Sequence, residues 1–217
     1  QSLESEGKNL TFRLFSRNSS IPLSDVIPVL ENLGLKVMDE HPYRIKGKSE
    51  HVWIHDFSLL YTGGGEISPV NLKGIFEDAF LHIWQGDAAN DDFNRLVLSG
   101  EVEWREVAML RAYAAYMKQI RFPISQEAIS STLNSYVSLA RDLVALYAAR
   151  FDPNTSQASE VIEEKIIAGL DDVAGLNDDR VIRQFLTLIN ATLRTNFYLQ
   201  NKSKKNFSFK LATQQIP

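Results

Sequence analysis

The sequence predicts an α+β chain in which a small antiparallel sheet carrying two helices is followed by an all-α helical bundle. Three observations predict it. Residues 10–15, Leu-Thr-Phe-Arg-Leu-Phe, alternate apolar with polar as a strand with one buried face does. Residues 68–86 hold an apolar stripe at helical spacing for three turns. From Asp87 to about Tyr198 every segment reads as helix.

Taken in order, the strand at 10–15 ends in a polar loop at 16–20. Ser24 is placed to cap a helix whose Val26, Ile27, Leu30 and Leu33 fall on one side, with Pro28 in or near the first turn. Gly34 followed by Leu35 has the form of a left-handed stop with its hydrophobic clasp. Extended segments follow at 35–40, 43–45 and 51–61, the last two joined by a turn at Lys46-Gly47-Lys48. Gly63, Gly64 and Gly65 close the unit. Ser68 can cap the second helix and Pro69 suits its first position; Leu72, Ile75, Phe76, Ala79, Phe80, Ile83 and Trp84 form its stripe, and Gly86 ends it. The order β-α-β-β-α is that of a ferredoxin-like or ACT-like βαββα sandwich with both helices on one face. Its final strand is not evident, and residues 207–211, Phe-Ser-Phe-Lys-Leu, alternate well enough to be a candidate.

In the helical part, 90–99 is short, with Phe93, Leu96 and Val97 inward and Gly100 behind. Residues 102–122 are apolar on more than one side (Trp104, Val107, Leu110, Tyr113, Ala114, Met117, Ile120), which predicts a central position, and Pro123 terminates them. Ser125 starts a helix carrying Ile129, Leu133 and Tyr136, and Leu139, Leu143, Leu146 and Tyr147 continue the stripe to Pro153. Helices at 159–174 and 178–197 complete the bundle. The expected organisation is a leading linker or disordered stretch at 1–9, the ACT-like domain at 10–86, the helical domain at 87–200, and a loop and strand at 201–217 leading toward a further domain.

Composition narrows the function. The 217 residues are 44% hydrophobic and 23% charged, ordinary for a cytoplasmic globular protein. A net charge of −4 and a basic cluster confined to 202–205 give no footprint for nucleic acid. No apolar run approaches the roughly 20 residues of a membrane span, and no signal peptide is visible at the start. Zero cysteines exclude thiolate catalysis and thiolate-bound zinc in this chain. Gln1 in place of methionine, and a strand-like segment that has barely begun to turn before Pro217, are expected of a fragment of something longer.

Candidate sites are few. His51 and His55 share one strand face but stand roughly 13 Å apart by the strand rise, too far for one ion, so hydrogen bonding to neighbours is the better reading. The glycine run at 63–65 follows a strand and precedes a helix, yet Ser68 stands where a dinucleotide fingerprint needs a third glycine, and a flexible connection is the ordinary reading. Asp91-Asp92, Asp171-Asp172 and Asp178-Asp179 sit at helix starts or between helices, where dipoles and water accommodate them. No G-x-S-x-G elbow is present. Catalytic, cofactor-binding and metal-ligating residues are therefore assigned to none. The unusual feature is Arg194-Thr195-Asn196 at the end of an apolar helix, either an anchor to a neighbouring domain or a helix end capped by the arginine.

The chain resembles the large bacterial NAD-dependent glutamate dehydrogenases over about 10–211. The resemblance is carried by Leu-Ser-Asp-Val-Ile-Pro-Val-Leu-Glu-Asn-Leu-Gly at 23–34, Asp-Glu-His-Pro-Tyr at 39–43 and Val-Trp-Ile-His-Asp-Phe at 52–57. It continues through Asp-Phe-Asn-Arg-Leu-Val-Leu at 92–98, Trp-Arg-Glu-Val at 104–107 and Ala-Arg-Phe-Asp-Pro at 149–153, then Ala-Thr-Leu-Arg-Thr-Asn at 191–196 and Ser-Phe-Lys-Leu at 208–211. It implies a parent enzyme that oxidises L-glutamate to 2-oxoglutarate and ammonia with NAD. Its substrate lysine and dinucleotide-binding domain lie downstream of this chain. It further implies a non-catalytic segment without cofactor of its own, partnered by the downstream catalytic domain of the same polypeptide and by other copies of the parent, with no nucleic acid or membrane partner. The alternative is an ACT-type amino-acid-sensing module. Ligand-binding ACT domains usually place a glycine between first strand and first helix, and the loop here, 16–22, has none.

Overall fold

The computed structural model describes residues 2–6, 8–47, 50–64, 69–199, 206 and 208–216, with the side chains of 2–6 and 69–71 outside the description. Contacts divide the chain into two units, Gln1–Ala108 and Met109–Pro217.

The first unit is a four-stranded antiparallel sheet, order β1-β2-β4-β3, with two main helices. Its strands are β1 (Ser2–Glu6), β2 (Asn9–Arg17), β3 (Leu35–Lys46) and β4 (His51–Tyr61). The helices are α1 (Leu23–Asn32) and α2 (Pro69–Trp84). Alternation sets the inner face: Leu10, Phe12 and Leu14 of β2 and Phe57, Leu59 and Tyr61 of β4 are buried, and Phe12 pairs Phe57 in register. Phe12 meets the α2 rings Phe76 and Phe80 edge-on at 5.2 and 4.9 Å, geometry that suits the aromatic quadrupole. Val26, Val29 and Leu30 of α1 join this core, and Gly34, at φ +84°, makes the left-handed stop that was expected.

Three expectations are corrected here. Residues 2–6 are a strand, not linker, and this strand takes the place beside β2 that a closing strand after α2 would fill. The segment at 35–46 is one strand, bulged between Val37 and Asp39; Pro42 is tolerated because β3 is an edge and needs no amide donor on its outer side. Helix α1 begins at Leu23, so Ser24 lies inside it, bonded to Asp25 and not capping, and Pro28 lies past the first turn. The proposed Ser68 cap and Gly65 lie outside the described residues.

A short 3₁₀ turn at Asp92–Asn94 leads into α3 (Arg95–Ser99), capped by Asp91, whose carboxylate accepts Phe93 N–H at 3.1 Å. Helix α4 (Trp104–Gln119) begins in the first unit and continues into the second. There α5 (Gln126–Ser135), α6 (Val137–Phe151), α7 (Ser159–Gly169) and α8 (Leu176–Ala191) form the bundle. Ser125 caps α5 as expected, accepting Ala128 N–H.

The sequence reading of a helix through 197 fails at Thr192. Helix α8 stops at Ala191, and β5 (Thr192–Thr195) pairs with β6 (Phe209–Leu211) as a two-stranded ribbon. Residues 209–211 therefore do not complete the early sheet, and Phe207 lies outside the described residues. The reason is local: the hydroxyls of Thr192 and Thr195 are drawn onto tyrosines of the bundle, and β6 supplies a ladder partner at the point where the helix would continue.

Candidate functional site

Two polar networks stand out, one in each unit. In the first, His55 on β4 is 3% exposed. Its Nδ1 lies 2.8 Å from Glu40 Oε1 on β3, and its Nε2 accepts the Ile21 amide N–H at 3.2 Å, with Ser20 Oγ 3.3 Å away. An amide N–H can only donate, so Nε2 bears the lone pair and the ring proton sits on Nδ1, facing the carboxylate. The imidazole stacks between Trp53 and Phe57, its neighbours on the same strand face. Nε2 thus ties the loop between β2 and α1 to the sheet, while Nδ1 links β4 to Glu40 on neighbouring β3.

The same loop solves its turn without glycine. Asn18 adopts φ +66°, a left-handed position that asparagine tolerates, and exchanges hydrogen bonds with His51, its N–H to the His51 carbonyl at 2.7 Å and its Oδ1 from the His51 N–H. His51 and His55 stay apart in role as the strand spacing requires. Among the described residues, no three of His, Cys, Asp or Glu converge as a bound metal ion would need.

Packing explains Gly63, while Gly64 stands in open space. A Cβ on Gly63 would fall 2.1 Å from the Tyr61 hydroxyl, so the glycine is needed for the chain to pass the tyrosine, whose burial raises its pKa. What the Gly63 backbone packs against is this ring.

In the second unit the ribbon is fastened from beneath. Thr192 Oγ1 gives its one hydrogen to the Leu188 carbonyl at 2.8 Å, so Tyr113 is the donor in the 2.7 Å contact with that oxygen. Tyr147 donates to Thr195 Oγ1 at 2.8 Å. Phe209 of β6 stacks on Tyr113 at 4.6 Å, and Phe197 meets Tyr147 edge-on at 5.4 Å. Burial is the leading reason both phenols are held well above the ordinary tyrosine range.

Of the three residues singled out from the sequence, Thr195 faces Tyr147, and Asn196 Oδ1 accepts the Ser208 N–H at 2.7 Å, closing the ribbon. Arg194 is exposed on the ribbon's outer side, directly opposite exposed Lys210. It lies in a strand, so the helix-end reading does not apply to it.

The acids of the pairs Asp91-Asp92 and Asp178-Asp179 have structural partners. Asp92 reaches Arg95 at 3.3 Å, Asp178 accepts from Thr132 Oγ1 at 2.6 Å, and Asp179 grips Arg183 at 2.9 Å. Glu106, in the first turn of α4, accepts the Glu103 N–H at 2.9 Å, and its burial raises its pKa. Sequence reading missed Glu40, Ser20, Tyr113, Tyr147 and Thr192. The available signals were a histidine on the buried face of a strand and tyrosines within an apolar helical stripe, each of which needs a partner when buried.

Residues 1–72 match the family described as glutamate dehydrogenase, ACT3 domain. Residues 88–153 match glutamate dehydrogenase, helical motif 3, and 165–217 match the catalytic domain of bacterial NAD-glutamate dehydrogenase. The chain is 46% identical over 220 residues to the NAD-specific glutamate dehydrogenase of Halomonas elongata, covering 99% of this chain and 14% of that protein. It is 44% identical over 228 residues to that of Pseudomonas aeruginosa, covering 100% and 14%. Against that of Mycobacterium tuberculosis it is 33% identical over 201 residues, covering 88% and 12%. The chain thus spans about one seventh of the first two relatives' length.

Proposed function

Because this chain belongs to the bacterial NAD-glutamate dehydrogenase family as a segment of it, we propose that it is a non-catalytic mount which holds the leading stretch of the parent's catalytic domain, residues 165–217, in place for the rest. The parent oxidises L-glutamate to 2-oxoglutarate and ammonia and passes the hydride to NAD, using residues beyond this chain.

The observation that carries the proposal is the fastening of β5. Tyr113 and Tyr147 lie in the helical-motif stretch, while Thr192 and Thr195 lie in the stretch that matches the catalytic domain. A buried and a part-buried phenol-to-threonine bond and the stacked Phe209 therefore join the bundle to the first ribbon of the catalytic stretch. A preorganised, well-packed mount is what positions remote catalytic groups. Outward-facing Arg194, with Thr195 and Asn196 locked behind it, is the contact offered to the neighbouring domain, and the parent works as a homo-oligomer.

In the first unit the proposal reads an ACT-like sandwich used for shape. The β2–α1 loop, where an amino-acid effector would approach the backbone, has its Ile21 amide already committed to His55, and this supports scaffolding over sensing. The experiment is calorimetry of the purified chain across the common amino acids. Flat traces are expected, and saturable binding at millimolar affinity or tighter would favour the sensing module instead.

A further inference from the structure

The outer face of the first unit's sheet is divided. An antiparallel sheet with helices on one side normally presents polar residues on the other. Here that holds on only part of the face. Along the cross-strand row Arg13, Asp56 and His41, the Arg13 Nε–Asp56 Oδ2 pair closes at 3.4 Å, and beyond it lie Thr11, Ser58 and Asp39, then Leu60 flanked by Asn9 and Lys36. On the opposite side of that row the pattern turns apolar. Phe15, Ile54 and Tyr43 stand in one register row, and in the next Val52 is paired with Ile45 on one side and with Arg17, at the edge of the patch, on the other. Phe15 is 47% exposed, Tyr43 52% and Ile45 55%. Directly opposed residues share a face, so these five side chains form one patch across three strands.

We infer that this apolar half-face docks another sheet domain of the same parent polypeptide. The inference rests on the reading of the chain as an assembly segment and names the surface it uses. Size selects the occupant. A patch of five side chains is of the few-hundred-Å² class at which exposed apolar surface on a monomer has a function, and it falls short of the about 800 Å² per partner of a stable free-standing interface. A contact of that size is populated when a tether raises the effective concentration of its partner. Such a tether is at hand: the first two relatives are about seven times this chain's length, and the description matching residues 1–72 numbers this domain as the third ACT domain. A sister sheet offering its own apolar outer face gives like-for-like burial, with the Arg13–Asp56 pair as the polar rim.

The chain has no cysteine, so a thiol placed in the patch is a specific reporter here. Tyr43→Cys, Ile45→Cys and, on the polar side of the face, Lys36→Cys are made in the 217-residue chain and in the full-length parent. Maleimide labelling at each position is followed by peptide mass. Tyr43→Cys and Ile45→Cys are expected to label at least tenfold more slowly in the parent than in the 217-residue chain, while Lys36→Cys labels alike in both. Equal rates at the patch positions would overturn the inference. So would protection already present in the 217-residue chain that rises with concentration together with a doubled mass by light scattering, since the occupant would then be a second copy. NADH production by the 217-residue chain, measured separately, bears on the assembly reading and not on which surface docks.

Discussion

Tyr147 donates its phenolic hydrogen to Thr195 Oγ1 at 2.8 Å, and that oxygen also accepts the Phe197 amide N–H at 3.1 Å. One helical side chain thereby fixes both the last residue of β5 and the turn that follows it. Tyr147→Phe keeps the ring packing against Phe197 and leaves Thr195 bonded to Phe197, so its cost is that of one buried hydrogen bond, about 1 kcal/mol. Tyr147→Ala empties the ring's place and costs about 3–5 kcal/mol. Urea unfolding of the two variants separates the hydroxyl's share from the ring's.

The His55 network makes a sharper prediction. His55→Leu removes both the acceptor for Ile21 N–H and the donor to Glu40, leaving an amide and a carboxylate in low-dielectric surroundings without partners. The expected loss is about 2–5 kcal/mol, from roughly 1–3 kcal/mol for each buried group left unsatisfied. Amide exchange should quicken at 18–21 before it does in α2, because that loop is what the imidazole holds.

The two networks also show where sequence reading succeeds and stops. Alternation in β2 and β4 exposed the inner sheet face, including Phe12 and Phe57, because a period of two has one buried solution. Gly34 marked its left-handed turn for an equally local reason. What could not be read was pairing at a distance. Ser2–Glu6 alternate weakly and become a strand only because β2 offers an edge, while Thr192–Thr195 leave the helix only because Tyr113, Tyr147 and β6 are waiting. Glu40 looked like one surface acid among many until the register placed it beside His55.

Glu106 sets a pH dependence. Burial, the largest effect on it, raises its folded pKa against the lowering by the Glu103 N–H bond, so the folded state holds this proton more tightly than the unfolded chain does. Its contribution therefore favours folding at acid pH and is lost as pH rises from the unfolded value, about 4.3, through the raised folded one. Glu106→Gln keeps an acceptor for Glu103 N–H and removes the charge. The variant should melt higher than the parent sequence at pH 7 and show a flatter stability profile over the window just above pH 4.3, as followed by thermal unfolding across that range.

Arg194 separates folding from assembly. Exposed opposite Lys210, it faces a like charge across the ribbon, so Arg194→Ala should leave the 217-residue chain's stability within about 0.5 kcal/mol. In the full-length parent the same change is expected to weaken the fit of the neighbouring domain, read as a fall in kcat with glutamate KM little changed. A large stability loss in the isolated chain would place Arg194 in this unit's own packing instead.

The most direct measurement is turnover by the 217-residue chain itself. Incubated with L-glutamate and NAD and followed at the NADH absorbance, it should give no signal above the protein-free background under the proposal that this chain is a mount. Steady NADH formation that scales with the concentration of this chain would contradict the account.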